Sequence, residues 1–121
     1  MSLDGSLAGS LDEMAGRAVL RERFVNAGYA IVEDFPFAEG AVRFSADGFD
    51  PQARVGYEYI TTAAGDRKEL TPEMLAELEA RLGRGELFIL LIDERDVSGP
   101  EVLQRAADRF LSEVRSRRAG G

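Results

Sequence analysis

Three acidic residues near the middle of the chain have types and spacing that could carry chemistry. Asp47 and Asp50 lie at a turn predicted over Gly48 to Pro51, and Glu58 lies in the β-forming segment that follows. If the segments on either side of the turn pair as a hairpin, the three carboxylates converge at one end of a sheet. Divalent cations such as Mg²⁺ and Mn²⁺ bind oxygen ligands of this kind. Because aspartate also satisfies the backbone of turns, a structural role for Asp47 and Asp50 is the alternative.

Glu58 has two interpretations of its own, because a buried carboxylate requires a partner. Alternation along the strand places it on the same face as Gly56 and Ile60. If that face is inward, Arg43 or Arg54 could neutralise the carboxylate. The sequence therefore leaves Glu58 as either a metal ligand or the acidic member of a structural Glu–Arg pair.

Two further charged clusters lie near the C-terminus of the chain. Asp93 to Asp96 follow directly after the apolar run Leu87 to Ile92, and loops that follow a central strand often form ligand crevices. A solvated loop is the alternative. The arginines at 115, 117 and 118 could bind an anion, or could simply complement the negative end of a helix dipole.

Histidine and cysteine are both absent from the chain. Their absence removes disulfides, thiolate nucleophiles, the commonest general base and the commonest ligands of transition metals. Any catalysis would then depend on carboxylates, hydroxyl groups, arginines and a single lysine, Lys68. No cofactor is predicted unless the acidic residues bind Mg²⁺ or Mn²⁺.

The charge balance restricts the classes of partner. The chain has 22 acidic and 15 basic residues, which gives a formal charge of -7. Proteins that bind nucleic acid or anionic membrane surfaces usually have the opposite sign, so neither is predicted as a partner. No apolar run approaches the roughly 20 residues of a membrane span. Residues 1–10 lack the basic and apolar regions of a secretory signal, which predicts a cytoplasmic protein.

The elements that position these side chains follow from hydrophobic periodicity. In order, the pattern predicts a helix from a Ser10 cap to about Ala27, strands over Tyr29 to Phe37, Val42 to Asp47 and Val55 to Thr61, a helix from a Thr71 cap to Gly83, a strand over Leu87 to Ile92, and a helix from Pro100 to about Arg115. Short turns between the first three strands predict an antiparallel meander, and the helix before the fourth predicts a parallel crossover. The expected fold is α/β, a mixed four-stranded sheet flanked by helices.

Side-chain patterns also predict which parts of these elements are buried. The uninterrupted apolar run Leu87 to Ile92 is typical of a strand covered on both faces, which places it at the centre of the sheet. Pro36 favours an edge position for the first strand or a place at the strand's end, because proline donates no ladder hydrogen bond. Alternation in that strand predicts one shared apolar face for Tyr29, Ile31, Phe35 and Phe37. The second helix is predicted to bury Leu75, Leu78 and Leu82.

The length of 121 residues fits a single domain. The composition divides it into a flexible N-terminal segment over residues 1–9, one α/β domain over 10–115 and a flexible C-terminal tail over 116–121.

The order of the predicted elements resembles the PD-(D/E)xK restriction-endonuclease-like superfamily, whose core is a helix, a three-stranded meander, a helix and a strand. The resemblance covers about Ser10 to Ile92. It implies a metal-dependent nuclease site in which Asp47 or Asp50 matches the aspartate near the second strand. Glu58, in the sequence YEYI, then matches the acid of the acid-x-lysine motif. Glu22 matches the glutamate that the first helix of the family contributes.

The sequence departs from this motif at Ile60, where the family has lysine. Isoleucine can neither orient a water molecule nor stabilise the charge of a phosphate. Lys68 lies in the predicted loop that follows and is the only lysine that could take this role.

Three functional hypotheses follow from these residues. The first is a non-catalytic binding or regulatory module on a nuclease-like scaffold, whose acidic surface suits a basic protein partner. The second is a degenerate phosphodiesterase that uses Mg²⁺ or Mn²⁺ with Asp47, Asp50, Glu58 and Glu22. The third is self-association of the chain as a homo-oligomer.

Overall fold

Helix-forming and strand-forming segments alternate along the chain. The computed structural model describes residues 11–63 and 65–120. Its elements are α1 (Glu13–Asn26), β1 (Val32–Glu39), β2 (Val42–Asp50), β3 (Val55–Ile60), α2 (Asp66–Glu69), α3 (Pro72–Gly83), β4 (Phe88–Asp93), a 3₁₀ turn (Glu94–Asp96) and α4 (Pro100–Gly120). Apart from the short α2 and the 3₁₀ turn, which lie in predicted loops, this is the predicted order of elements.

The four strands form one open mixed sheet in the order β1, β2, β3, β4. β2 pairs antiparallel with both β1 and β3, as the meander prediction required. β3 and β4 pair in parallel, with α3 in the connection between them. The predicted α/β class and mixed four-stranded sheet are therefore confirmed.

Helices cover both faces of the sheet. The face under α1 and α4 buries a cluster that includes Leu20, Phe24, Val55, Tyr57, Tyr59, Phe88, Leu103, Ala107, Leu111 and Val114. The face under α3 buries a second cluster that includes Phe37, Val42, Phe44, Phe49, Met74, Leu78 and Leu87. The sheet thus lies between two apolar cores, and most of the stabilisation comes from removing these side chains from water.

β4 lies at an edge of the sheet, so its predicted central position is wrong. Its one neighbour among the described strands is β3. Only Phe88 is buried in this strand, and the residues after it, Ile89, Leu90, Leu91, Ile92 and Asp93, are half-buried. An apolar run therefore occupies a position that usually carries charged or interrupted sequence. β1 forms the other edge, which is one of the two alternatives that Pro36 indicated.

β1 and β2 change the face that their apolar side chains cover. Ala46 and Phe49 belong to the same core although alternation would put them on opposite faces. The change occurs between the register pairs Glu33–Gly48 and Phe35–Ala46, the interval that contains Asp34 and Asp47. Asp34 has φ 52, in the left-handed region that aspartate tolerates better than most residues. In each strand, the alternate side chains that face one side of the sheet before this point therefore have counterparts of the same parity that face the other side after it.

This change of face corrects the prediction of a single apolar face in the first strand. Tyr29 and Ile31 pack against the core under α1 and α4. Phe35 and Phe37 belong to the core under α3. A strict period of two could not reveal the change, because it results from backbone geometry at Asp34.

The helix ends differ from the predictions in detail. Asp12 caps α1 by accepting a hydrogen bond from the Ala15 N–H at 2.8 Å, whereas the predicted Ser10 cap and the segment 1–9 lie outside the described residues. Thr71 caps α3 as predicted. α4 continues to Gly120, past its predicted end near Arg115.

α3 buries Met74 and Leu78, whereas the predicted stripe began at Leu75, which is 39% exposed. Within the described ranges, no helix is long and apolar enough to cross a membrane.

Candidate functional site

Asp47 and Glu58 meet where the hydrogen-bonded ladder between β2 and β3 stops. The last ladder pair joins Gly48 to Tyr57. Beyond it, the Asp47 N–H donates to Glu58 Oε1 at 2.8 Å, and the Tyr59 N–H donates to Asp47 Oδ2 at 2.8 Å. Both acids are buried, with 5% and 1% of their surfaces exposed. Carboxylate oxygens therefore accept the hydrogen bonds that backbone carbonyls accept in a regular ladder.

Arg17 of α1 brings a permanent positive charge to this pair of acids. Its Nε lies 3.6 Å from Asp47 Oδ1, and its Nη2 lies 3.0 Å from Asp34 Oδ1 and donates to the Asp47 carbonyl at 3.3 Å. Glu13, one turn earlier on α1, lies 3.7 Å from Arg17 Nη1. Burial works against the charge, but the three carboxylates outweigh it and raise the pKa of Arg17 above its ordinary value. The candidate site thus contains its own cation.

Asp50 serves the turn that follows β2. Its Oδ1 accepts hydrogen bonds from the N–H groups of Gln52 and Ala53, both at 3.0 Å, and its Oδ2 accepts one from Ala30 at 2.9 Å. Burial alone would raise the pKa of Asp50, but these donors outweigh it and hold the pKa below its usual value. The Asp50 carboxylate thus satisfies the backbone of a turn, which is the alternative to metal binding that the sequence offers for this residue.

The other residues of the nuclease-like hypothesis lie away from this centre. Glu22 is exposed on α1, five positions beyond Arg17 and therefore roughly 140° around the helix. Lys68 is exposed in α2. Ile60 packs against the core under α3.

The two arginines proposed as partners of Glu58 have other surroundings. Arg54 donates to both carboxylate oxygens of Glu39, at 2.9 and 2.8 Å, and to the Glu86 carbonyl at 2.9 Å. The hydrogen bonds from Arg54 are the largest cause of the lowered pKa of Glu39. Arg43 is exposed on β2.

The donors around these acids form a hydrogen-bonded network that joins β2, β3 and α1. Across residues 11–63 and 65–120, no group of three or more acidic side chains is placed to hold a metal ion. The Tyr59 N–H and the Arg17 guanidinium direct positive charge at the Asp47 carboxylate. Of the three acids predicted to bind a metal, Asp47 and Glu58 lie close together, whereas Asp50 accepts hydrogen bonds from the turn after β2.

Tyr57 and Tyr59 flank Glu58 and point into the core under α1 and α4. Burial raises the pKa of Tyr59 to about 12 and raises that of Tyr57 still further above its ordinary value. The Tyr59 hydroxyl donates to the Leu11 carbonyl at 2.7 Å. Of the described side chains, the Tyr57 hydroxyl is one of two with a buried polar atom that has no hydrogen-bond partner.

The acidic segment after β4 forms a compact turn. Asp93 caps the 3₁₀ turn through the Arg95 N–H at 2.8 Å and pairs with the Arg95 guanidinium at 3.0 Å. Glu94 Oε2 accepts a hydrogen bond from the Thr62 N–H at 2.8 Å. The turn thus ties β4 to the segment after β3.

The C-terminal arginines reach around the edge of the sheet. Arg117 donates to the carbonyls of Leu82 and Gly83 at 2.6 and 3.0 Å, at the end of α3. The guanidinium groups of Arg117 and Arg118 lie 5.4 and 4.9 Å from the centre of the Phe88 ring. Arg117 therefore links α4 to the opposite layer of the fold.

An apolar groove of about 560 Å³ lies between α3 and β4. Its walls consist of Pro72, Leu75, Ala76, Leu78, Glu79, Leu82, Ile89 and Leu91. Glu79 is the only charged residue among them, and it is exposed. The groove borders β4, whose residues Ile89 and Leu91 are half-buried.

Sequence reasoning missed Arg17 and the groove. An i, i+4 spacing of Glu13 and Arg17 is visible in the sequence, but it is common on solvated helix faces and does not indicate which strand the helix covers. The apolar run Leu87 to Ile92 predicts a strand at the sheet centre, where no such groove could lie. Compared with known proteins, the chain matches no family model, no curated protein and no solved structure.

Proposed function

We propose that the chain is a non-catalytic protein-binding module on a scaffold similar to the PD-(D/E)xK core. The order of helix, antiparallel meander, helix and parallel strand supports the scaffold. A cytoplasmic location belongs to the same proposal.

One observation carries the non-catalytic part of this proposal. Asp47 and Glu58 accept hydrogen bonds from backbone N–H groups in place of a continued ladder, and Arg17 lies against Asp47. Buried charges arranged in this way stabilise the local backbone, whereas a catalytic centre directs such groups at a substrate. Ile60, at the lysine position of the family motif, adds no polar group.

The groove between α3 and β4 is the surface that supports binding. Its lining is apolar apart from Glu79, and the whole chain has a formal charge of -7. Apolar pockets with a few polar groups are the usual form of a binding site. The occupant that fits is an apolar segment of a partner protein with a basic residue opposite Glu79.

Two synthetic peptides test this function directly. One is an amphipathic helix of leucine and lysine, and the other replaces every lysine with glutamate. We expect the leucine–lysine peptide to shift the backbone amide signals of Leu75, Ala76 and Ile89 in NMR spectra, and the glutamate peptide to leave them unchanged. Glu79→Lys should weaken binding of the first peptide.

Glu113→Lys is the matched control, because Glu113 is an exposed acid on α4, away from the groove. It changes the net charge by the same amount. Equal weakening by both substitutions would show that only net charge matters. Absence of amide shifts at the groove with either peptide would contradict the proposal.

The metal-dependent phosphodiesterase stays a separate prediction. The closeness of Asp47 and Glu58 favours it. This activity requires that the wild type bind Mg²⁺ or Mn²⁺, which calorimetry would detect. The Glu58→Gln substitution should abolish this metal binding. Thermal unfolding of Glu58→Gln without metal would separate loss of a ligand from loss of fold. No metal binding by the wild type would exclude this activity.

A further inference from the structure

β4 is an edge strand whose outer side carries hydrogen-bonding groups and apolar side chains. The Phe88 N–H donates to the Arg54 carbonyl at 3.0 Å, so the N–H groups of Phe88, Leu90 and Ile92 point toward β3. Those of Ile89 and Leu91 alternate with them and point away from the sheet. The strand therefore presents a template for another strand.

We propose that a second copy of the chain pairs with β4 through its own β4, in antiparallel orientation. The pairing joins two four-stranded sheets into one continuous sheet. This proposal goes beyond the groove-binding function and does not depend on it.

The sequence of β4 fits this two-fold pairing. A two-fold axis at Leu90 sets Leu90 opposite its own counterpart and Ile89 of each copy opposite Leu91 of the other. Ile89 and Leu91 are the residues whose backbone groups point outward, so each such pair exchanges two hydrogen bonds. Ile89 and Leu91 also line the groove. The side chains on that face are therefore apolar in both copies.

The charges at the two ends of β4 complement each other in the same arrangement. Arg84, Arg117 and Arg118 surround Phe88 at the start of the strand. Glu94 and Asp96 belong to the turn at its end. Glu86 pairs with Arg84 at 2.9 Å, so the basic charge of the first end comes from Arg117 and Arg118. Arg95 pairs with Asp93 at 3.0 Å, and acidic residues still outnumber basic ones at the second end. Antiparallel pairing brings each basic end beside an acidic end of the other copy.

In the paired arrangement, the grooves of the two copies lie close together. Both copies would have α3 on the same face of the continuous sheet, because a two-fold axis normal to the sheet preserves its faces. The two grooves would then lie side by side above the paired β4 strands. Partner segments would meet a surface with two-fold symmetry.

Sedimentation equilibrium of the full chain tests the pairing. We expect a species of twice the 13.2 kDa chain mass, in equilibrium with monomer. Leu91→Lys should shift the equilibrium to monomer, because it places a charge on the paired edge. Leu91→Pro should act in the same way, since it removes one outward N–H group. Val25→Lys is the matched control: Val25 is an apolar residue on α1 that is 39% exposed, and its substitution should leave the dimer intact.

Amide hydrogen exchange separates strand pairing from other forms of association and needs no variant. In the dimer, the amides of Ile89 and Leu91 should exchange as slowly as those of Phe88 and Leu90, and dilution should accelerate only the first two. A monomeric wild type, or a dimer in which Ile89 and Leu91 exchange rapidly, would overturn the proposal. Protection of these two amides in a monomer would also overturn it and would assign the edge to another segment of the chain. Peptide binding at the groove by a monomer would leave the proposed function standing.

Discussion

Asp50 shows how a single carboxylate holds a turn in place. Its two oxygens accept three backbone hydrogen bonds, from Ala30, Gln52 and Ala53. The sequence predicted this kind of role for Asp50 as one of two alternatives, because aspartate beside a proline turn is a local pattern. The donor at Ala30 comes from the segment before β1 and could not be predicted locally.

Replacing Asp50 with asparagine should destabilise the protein in a pH-dependent manner. At neutral pH we expect the free energy of unfolding to fall by about 1–3 kcal/mol, because the amide accepts fewer of these hydrogen bonds. The folded state lowers the pKa of Asp50, so its contribution is complete above the ordinary value of 3.8 and is lost as the pH falls below it. Urea unfolding of both proteins at several pH values measures the difference.

Asp108→Asn is the control for this series, because Asp108 pairs with Arg23 at 3.2 Å on the surface and is 57% exposed. Its effect should stay within roughly 0.5 kcal/mol. A difference between wild type and Asp50→Asn that persists unchanged into acid would contradict the assignment.

Tyr57 and Tyr59 should respond differently to loss of the hydroxyl group. Tyr59→Phe removes the bond to the Leu11 carbonyl and should cost about 0.5–1.5 kcal/mol. Tyr57→Phe removes a buried hydroxyl without a partner and should be neutral or stabilising. Chemical denaturation of the two variants compares them, and equal losses would show that the Tyr57 hydroxyl has a partner after all.

Alkaline titration provides an independent check on Tyr59. Its pKa of about 12 in the folded state exceeds the ordinary value of 10.0, so the stability that it contributes is complete below pH 10 and is lost as the pH rises toward 12. Absorbance at the phenolate band should show this ionisation only in the alkaline range where unfolding begins. Ionisation of Tyr59 near pH 10 in the folded protein would contradict its burial.

Gly16 allows α1 to approach β3 closely. A β-carbon built on Gly16 would lie 2.2 Å from Cε2 of Tyr59, a distance that requires the helix or the ring to move. We therefore expect Gly16→Ala to cost about 1–3 kcal/mol through overpacking. This loss exceeds the gain of about 0.5–1 kcal/mol from removing glycine within a helix.

Gly83→Ala is the matched control, because no heavy atom lies within 4 Å of the corresponding β-carbon and the residue also belongs to a helix. It should leave the melting temperature unchanged or raise it slightly. Thermal unfolding followed by circular dichroism measures both variants. A stabilising Gly16→Ala would contradict the close packing of α1 on Tyr59.

Periodicity predicted the elements of this fold well and their positions in the sheet less well. The Thr71 cap with Pro72 defined the start of α3, since capping is a local interaction. The apolar run at β4 indicated full burial, but the number of neighbouring strands depends on the whole topology. The change of face at Asp34 depends on one backbone angle that no side-chain pattern encodes.

Arg117 connects the two helical layers across the start of β4. Its bonds to the carbonyls of Leu82 and Gly83 satisfy the end of α3, and its guanidinium lies over Phe88. Arg117→Ala should reduce the free energy of unfolding by about 1–3 kcal/mol. Arg115→Ala, at an exposed position on the same helix, should have little effect. Equal effects of the two substitutions in urea unfolding would show that only helix charge matters.

The sequence predicted the architecture of the molecule as a whole because the fold consists of regular, locally encoded segments. The site was harder to predict, because Arg17, Asp34 and Asp47 come together from three separate elements. Their meeting depends on where α1 crosses the sheet. Glu22, which the resemblance to a nuclease suggested, lies on an exposed face of that helix.

The parallel pairing of β3 with β4 has a consequence for the order of folding. β1, β2 and β3 are joined by short turns, whereas β3 ends at Ile60 and β4 begins only at Phe88. Closing the longer loop costs more chain entropy before any contact compensates for it. We therefore expect the hairpins to form early and β4 to dock last, after α3 has formed. During synthesis, the apolar strand at the edge would be the last part of the sheet to leave water.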